Sequence, residues 1–350
     1  MENIVRLPGL IDPHVHFRTP GQEQKEDFTS GTSAAIAGGF TIVIDMPNNS
    51  IPITTKERLA AKKELAKKQT LCDIGFYFGS LGDNLDEFAH IDNQVKGLKL
   101  YLNETTGNFL INREVMEKIF AVWSGNTPIM LHAEDDAVAA VIEIVRETRK
   151  KAHFCHISTS GDLRQIIKAK KEGLPITCGV TPHHLFLTEV DTARLQSLGQ
   201  MKPPLRSEEE RAFLWEHLDS IDVIESDHAP HMLTEKEQSP SPYGVPGLET
   251  TLPLLLTAVN EKKITLEEVK RLCFTNAARI WNIQEDSSTY IEVDMNEVYL
   301  VNRSKLYTKC GWSPFEGREM RGKLRKTVIR GTTVFENGKI LVEPGFGKVL

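Results

Sequence analysis

Eight short apolar runs, rich in β-branched and aromatic residues and mostly separated by helix-like segments, set the fold of this chain. They are "GLIDPHVHF" (9–17), "FTIVIDM" (40–46), "CDIGFYFGS" (72–80), "GLKLYL" (97–102), "PIMLHAE" (128–134), "AHFCHI" (152–157), "ITCGVT" (176–181) and "DVIESDH" (222–228). Between them lie helical patterns such as "SGTSAAIAGG" (30–39), "TTKERLAAKKELAKKQ" (54–69), "NREVMEKIFAVW" (112–123) and "SGDLRQIIKAKKEG" (160–173). The last has Ser158 or Ser160 as a candidate cap and Gly173 just past its final turn. Parallel strands need crossover connections, so eight β-then-α steps predict an α/β fold, a (β/α)8 TIM-type barrel over residues 9–283. From Gln284 onward the pattern changes to short strands. In "KTVIRGTTVFENGKILV" the pair Asn337-Gly338 between alternating apolar residues predicts a hairpin. Residues 284–350, with 1–8, are expected to form a small β-rich appendage.

The bulk properties exclude some classes of function. The formal net charge of −6 is no footprint for nucleic acid or an anionic membrane surface. No apolar stretch has the length of a transmembrane helix, and "MENIVRLPGL" lacks the features of a signal peptide. The five cysteines form no C-x-x-C pair and are odd in number, which predicts a reduced, cytoplasmic protein. There is no internal repeat or low-complexity tract.

In a barrel of this kind chemistry collects at the C-terminal ends of the strands. His14 and His16 end the first run, two residues apart and therefore on one face, and Arg18 continues that face. His132, His156 and Asp227 hold the corresponding places in the fifth, sixth and eighth runs. Singly, each has a plain structural explanation as a core histidine, a solvated side chain or a loop cap. Together they predict a metal site. Lys99 lies within an apolar run, on the face of Gly97 and Tyr101. It is either an outward-pointing surface lysine or an interior one, where an unpaired ammonium would cost several kcal/mol. An interior neutral Lys99 can react with carbon dioxide to form a carbamate, an anion suited to bridging two Zn²⁺ ions among four imidazoles and an Asp.

The motifs "HVHFRTPG", "MPNN", "GLKLYLNETT", "LHAE", "CHIS", "TPHHLFL", "PPLR", "SDHAPH" and "GVPGLET" follow one another in the order found in dihydroorotases, members of the amidohydrolase superfamily. The resemblance covers nearly the whole chain and is nearest to the dihydroorotase domain of the multifunctional animal pyrimidine-synthesis protein. It implies reversible cyclisation of N-carbamoyl-L-aspartate to L-dihydroorotate. One zinc would be held by His14, His16, carboxylated Lys99 and Asp227, the other by carboxylated Lys99, His132 and His156. A metal-bridging hydroxide would attack the ring carbonyl, with Asp227 as general acid and base. Arg18, Asn48, His231 and Lys202 would bind the substrate, and Thr105 and Thr106 would belong to a loop closing over it. A homodimer is implied, as is possible membership of a longer polypeptide with aspartate transcarbamoylase. Two other outcomes are a dihydropyrimidinase- or hydantoinase-type ring opener and a catalytically dead scaffold domain.

Two features depart from the animal pattern. The loop carries Thr105-Thr106 in place of Thr-Phe. A third zinc of the animal domain uses a Glu where this chain has Gly179, so Cys155 is expected to be a small buried hydrophobe. His183 and His184 are either donors behind the site or core histidines.

Overall fold

The computed structural model describes residues 3–104 and 109–350. Its strands are β1 (Ile4–Pro8), β2 (Leu10–Val15), β3 (Phe40–Asp45), β4 (Asp73–Phe76), β5 (Phe78–Gly79), β6 (Leu98–Tyr101), β7 (Ile129–His132), β8 (Ala152–Phe154), β9 (Ile176–Val180), β10 (Val223–Ile224), β11 (Tyr290–Leu300), β12 (Glu319–Ile329), β13 (Thr332–Glu336) and β14 (Lys339–Ile340). Strands β2–β3–β4 pair in parallel, as do β5 through β10. The expected single strand over 72–80 is two pieces, broken at Tyr77. The Tyr77 N–H still reaches Asp45 O at 3.0 Å, and its hydroxyl donates to Pro13 O at 2.9 Å. Closure comes from a parallel bridge between Val15 and His228, with His16 N donating to His228 O at 2.8 Å. The eight runs thus form the ring of a (β/α)8 barrel.

The ladders are shorter than the sequence pattern suggests. β8 stops at Phe154 and β10 at Ile224, so His156 and Asp227 lie beyond their strands. Both residues are left-handed, with φ of 39° and 43°, and Arg18 has φ 61°. A strand cannot run through such a residue, and holding a side chain there costs about 1–3 kcal/mol. The helices lie close to their expected spans: Phe28–Ala37, Lys56–Gln69, Arg113–Val122 and Ser160–Lys171. The last is capped by Thr159 rather than by Ser158 or Ser160, its side chain accepting from Asp162 N. Gly173 follows that helix with φ 73°, as a residue past a last turn does.

A five-stranded antiparallel sheet, in the order β1-β11-β12-β13-β14, stands beside the barrel. The chain turns at Asn337 (φ 48°) and Gly338 (φ 78°), the two left-handed positions that the hairpin signal requires. Helix Leu248–Asn260 supports β12 closely, since a Cβ on Gly322 would lie 2.6 Å from Leu256 Cβ. Between β11 and β12 the chain returns over the barrel. Thr308 Oγ1 donates to buried Glu26 at 2.5 Å, and Trp312 Nε1 donates to His231 O at 2.8 Å. All five cysteines are free and buried. Among the described residues no helix is long and apolar enough to cross a membrane.

Candidate metal centre

One cavity at the C-terminal end of the barrel is lined by His14, His16, Arg18, Asn48, Lys99, His132, His156, Lys202 and Asp227, with Tyr101 and Tyr243 on its walls. Those nine are all residues singled out in the sequence. Of the others, His231 lies beside Arg18, and Thr105 and Thr106 fall outside the described residues.

On one side His14 Nε2 and His16 Nε2 lie 3.3 and 3.1 Å from the same Asp227 Oδ1. Of the other ring nitrogens, His16 Nδ1 bonds Asn48 Oδ1 at 2.8 Å, whereas His14 Nδ1 lies 3.4 Å from Glu225 Oε2 without forming a hydrogen bond. If each Nδ1 carries the proton, two nitrogen lone pairs and a carboxylate oxygen converge on one point. Such a convergence is repulsive without a cation. Burial lowers the His16 pKa to about 3, against the raising effect of Asp227. Burial alone would raise the Asp227 carboxyl; His14 and His16 hold it below the ordinary carboxylate range when they turn an N–H or positive charge toward it rather than a lone pair.

Across the cavity His132 Nδ1 is 3.1 Å from His156 Nε2. His132 Nε2 reaches Glu134 Oε1 at 3.2 Å, and Arg206 Nη2 donates to the other oxygen of Glu134 at 2.9 Å. A carboxylate behind an imidazole sets the tautomer and turns the free lone pair inward. Burial depresses the pKa of both His132 and His156, which keeps them available as neutral ligands. Lys99 is fully buried, with Nζ 3.2 Å from Cys155 Sγ and 4.9 Å from the centre of the Tyr101 ring. The surface alternative for Lys99 is therefore wrong: period-two alternation turns it into the barrel with Tyr101. Cys155 is buried, as expected, in an apolar cluster with Ile11, Ile44, Met46 and Met130. Its sulfur meets Lys99 and groups with His14 and His156 as a second set of metal-competent atoms, beside His14, His16 and Asp227. This donor set fits cations of the Zn²⁺ class.

Arg18 donates from Nε to Pro230 O at 3.2 Å, and its Nη2 stands 3.1 Å from His231 Nε2. His231 Nε2 also lies 2.9 Å from Tyr243 O, and this one nitrogen can accept from Arg18 or donate to Tyr243 but not both, so the Arg18–His231 corner is incompletely satisfied. Lys25 Nζ lies 3.4 Å from His231 Nδ1 and pairs with Glu235 at 3.2 Å. Lys202 Nζ sits 5.3 Å from the centre of the Tyr243 ring. Asn48 is engaged with His16 in this structure rather than held free. His184 bonds Thr181 Oγ1 at 2.7 Å and Pro203 O at 3.1 Å, which anchors the "PPLR" loop.

Sequence reasoning passed over three residues. Glu134 lies two positions beyond His132, and strand alternation could have flagged it; Glu225 lies past the end of β10, two residues before left-handed Asp227, where alternation does not apply. Lys62 comes from the outer helix Lys56–Gln69 and is fully buried, bonding Asp45 Oδ2 at 2.7 Å, Asn49 Oδ1 at 2.8 Å and Met46 O at 2.9 Å. It holds the turn that carries Asn48.

The amidohydrolase family model matches residues 5–285. The chain belongs to the amidohydrolase family. This amidohydrolase is 40% identical over 347 residues to the multifunctional protein CAD of Squalus acanthias, covering 99% of this chain and 16% of that protein. It therefore spans about a sixth of that relative's length. It is 37% identical to a dihydroorotase of Pyrococcus furiosus, covering 97% of this chain and 84% of the relative. Its fold matches an L-hydantoinase (dihydropyrimidinase) from Arthrobacter aurescens with a TM-score of 0.93 at 25% identity, covering 99% of this chain and 88% of that one. Dihydroorotases of this family are metal-dependent, in keeping with the convergent donors of this cavity.

Proposed function

We propose that this chain is a dihydroorotase, interconverting N-carbamoyl-L-aspartate and L-dihydroorotate, and that residues 9–283 carry the chemistry. The observation that carries this reading is the placing of cationic Arg18, beside His231, in the same cavity as the convergent imidazoles and Asp227. A hydantoin or dihydropyrimidine ring has no carboxylate to use that corner. Retention of His14, His16, Lys99, His132, His156 and Asp227 argues against a dead scaffold.

His14, His16 and Asp227 would hold one zinc, His132 and His156 another, with Lys99 as the carbamate between them. Zinc bound there supplies a water of pKa near 7 and polarises the ring amide carbonyl. Asp227, whose Oδ1 lies between His14 and His16, would take a proton from water during ring opening and return it to the leaving ring nitrogen. In cyclisation the same carboxylate would remove a proton from the carbamoyl nitrogen. Arg18 and His231 bind the carboxylate remote from the reacting bond, and Lys202 adds a second cation at the wall. Asn48 orients His16; the substrate contacts expected of Thr105 and Thr106 lie outside the described residues. Residues 1–8 and 284–350 form an appendage that buttresses the barrel. The chain would act in the cytoplasm as a homodimer, either freestanding or joined to aspartate transcarbamoylase in a longer polypeptide; the relatives include both a multifunctional protein and a dihydroorotase of which this chain covers 84%.

The test is metal analysis with a paired substrate assay. About two zinc per chain and turnover of dihydroorotate far above dihydrouracil are expected. Preference for dihydrouracil would move the assignment to the hydantoinase type, and a metal-free, inactive protein would support a scaffold.

A further inference from the structure

Glu225 is fully buried just below the cavity. Its Oε2 lies 3.4 Å from His14 Nδ1 and 3.6 Å from His153 Nε2, three buried polar atoms that have no hydrogen-bond partner and only one another to turn to, and its Oε1 accepts the backbone N–H of His156. One carboxylate thus touches the cavity residue His14 by its side chain and His156 by its main chain. The neighbouring strand makes room for it. A Cβ on Gly179 would lie 2.7 Å from both Cδ and Oε1 of Glu225, closer than real Cβ contacts come. Gly179 is inside β9, paired with Val223, and its φ is not in the left-handed region. Its backbone therefore does not demand glycine. A glycine within a strand costs stability, and here it marks a close approach.

We propose that Glu225 is a positioning residue that fixes the tautomer of His14, and that Gly179 is the space which allows it to do so. This rests on the reading of the cavity as a metal centre. A neutral imidazole has one N–H. Given to Glu225 from Nδ1, it leaves the Nε2 lone pair facing the cavity beside Asp227. Without Glu225 the proton moves to Nε2 and donates to Asp227 Oδ1, 3.3 Å away. His14 and Asp227 would then satisfy each other, and two ligand atoms would be closed to a cation.

The experiment uses the full chain, with zinc affinity measured by chelator competition and the His14 tautomer read from ¹⁵N ring shifts in metal-free protein. Glu225→Ala is expected to weaken zinc binding about 10–100-fold, the usual size of a lost partner behind a ligand, and to move the His14 proton from Nδ1 to Nε2. Glu225→Gln, which keeps an acceptor, should fall between. Gly179→Ala should mimic the loss by pushing the carboxylate away, yet add nothing in a Glu225→Ala background where the space is free. That background also shows whether the barrel tolerates the added methyl. Additive losses, an unmoved tautomer, or loss of one whole zinc with the remainder bound as tightly as before would each overturn the proposal. A parent chain that binds no zinc defeats the metal-centre reading alone, because the tautomer measurement in metal-free protein still stands.

Discussion

The mouth of the barrel and the five-stranded sheet beside it use β-structure in opposite ways. β11 and β12 are each eleven residues long and continue their pairing past register shifts. Charges on this sheet are partly exposed, as in the 2.7 Å pair of Lys326 and Glu336. The barrel strands have two to six residues, and several give out just before the side chains that matter. There His156 and Asp227 stand in left-handed conformations, and Lys99, Glu225 and Asp227 are buried charges or potential charges. The sheet is a long ladder, whereas the mouth accepts strain and electrostatic conflict so that donors converge. Stability and activity should therefore separate by region.

The largest separation is expected at Lys99. Lys99→Ala should abolish turnover of dihydroorotate and lower zinc content, while the metal-free chain melts no lower than its parent. Steady-state assay, metal analysis and calorimetry decide this, and full activity would break the assignment. Arg18→Met comes next. Losing a charge-assisted contact of roughly 1.5–3 kcal/mol should reduce kcat/KM for dihydroorotate about 10–150-fold with zinc retained. Dihydrouracil, which has no carboxylate, should suffer no further loss. An equal fall for both substrates would make Arg18 a structural residue.

Glu249 tests the junction of the two regions. Its carboxylate accepts Tyr307 N at 2.9 Å and Thr308 N at 3.0 Å, and burial raises its pKa to about 8. Between about pH 4.5 and 8 the folded chain therefore holds a proton that the unfolded chain has lost, and stability falls as pH rises through this window. Glu249→Gln should flatten that fall, so its melting temperature relative to the parent rises from pH 5 to pH 8. A parallel shift at both values would remove Glu249 from the account. The smallest effect is expected on the sheet surface. Lys326→Met should change stability by less than about 0.5 kcal/mol and leave kcat/KM untouched.

The two regions also differed in how well the sequence announced them. Alternation of strand and helix predicted the barrel, and Asn337-Gly338 predicted its hairpin, because both signals are local. The cavity residues His14, His16, Lys99, His132, His156 and Asp227 were legible because each lies in or at the end of an apolar run and the motif order adds to that. Strand ends were misjudged because alternation in "AHFCHI" and "DVIESDH" continues on paper past residues whose backbone has already turned. Glu225 was hidden by Gly179: its role depends on space in a strand more than forty residues earlier. Lys62 was hidden among the lysines of "KERLAAKKELAKKQ", where nothing local says which one points inward. Such facts arise from tertiary packing, which overrides a helix's polar appearance.

Lys62 also bears on engineering. A designer moving this constellation to another barrel would copy the strand ends and treat the outer helices as interchangeable. Here one outer helix sends an ammonium under the turn that carries Asn48, and its partner Asp45 also accepts the N–H of Phe17, next to His16. Replacing that helix would leave a buried carboxylate without its counter-charge, a loss of about 3–5 kcal/mol felt beside the metal ligands. The transferable unit is therefore a strand end together with the helix that follows it.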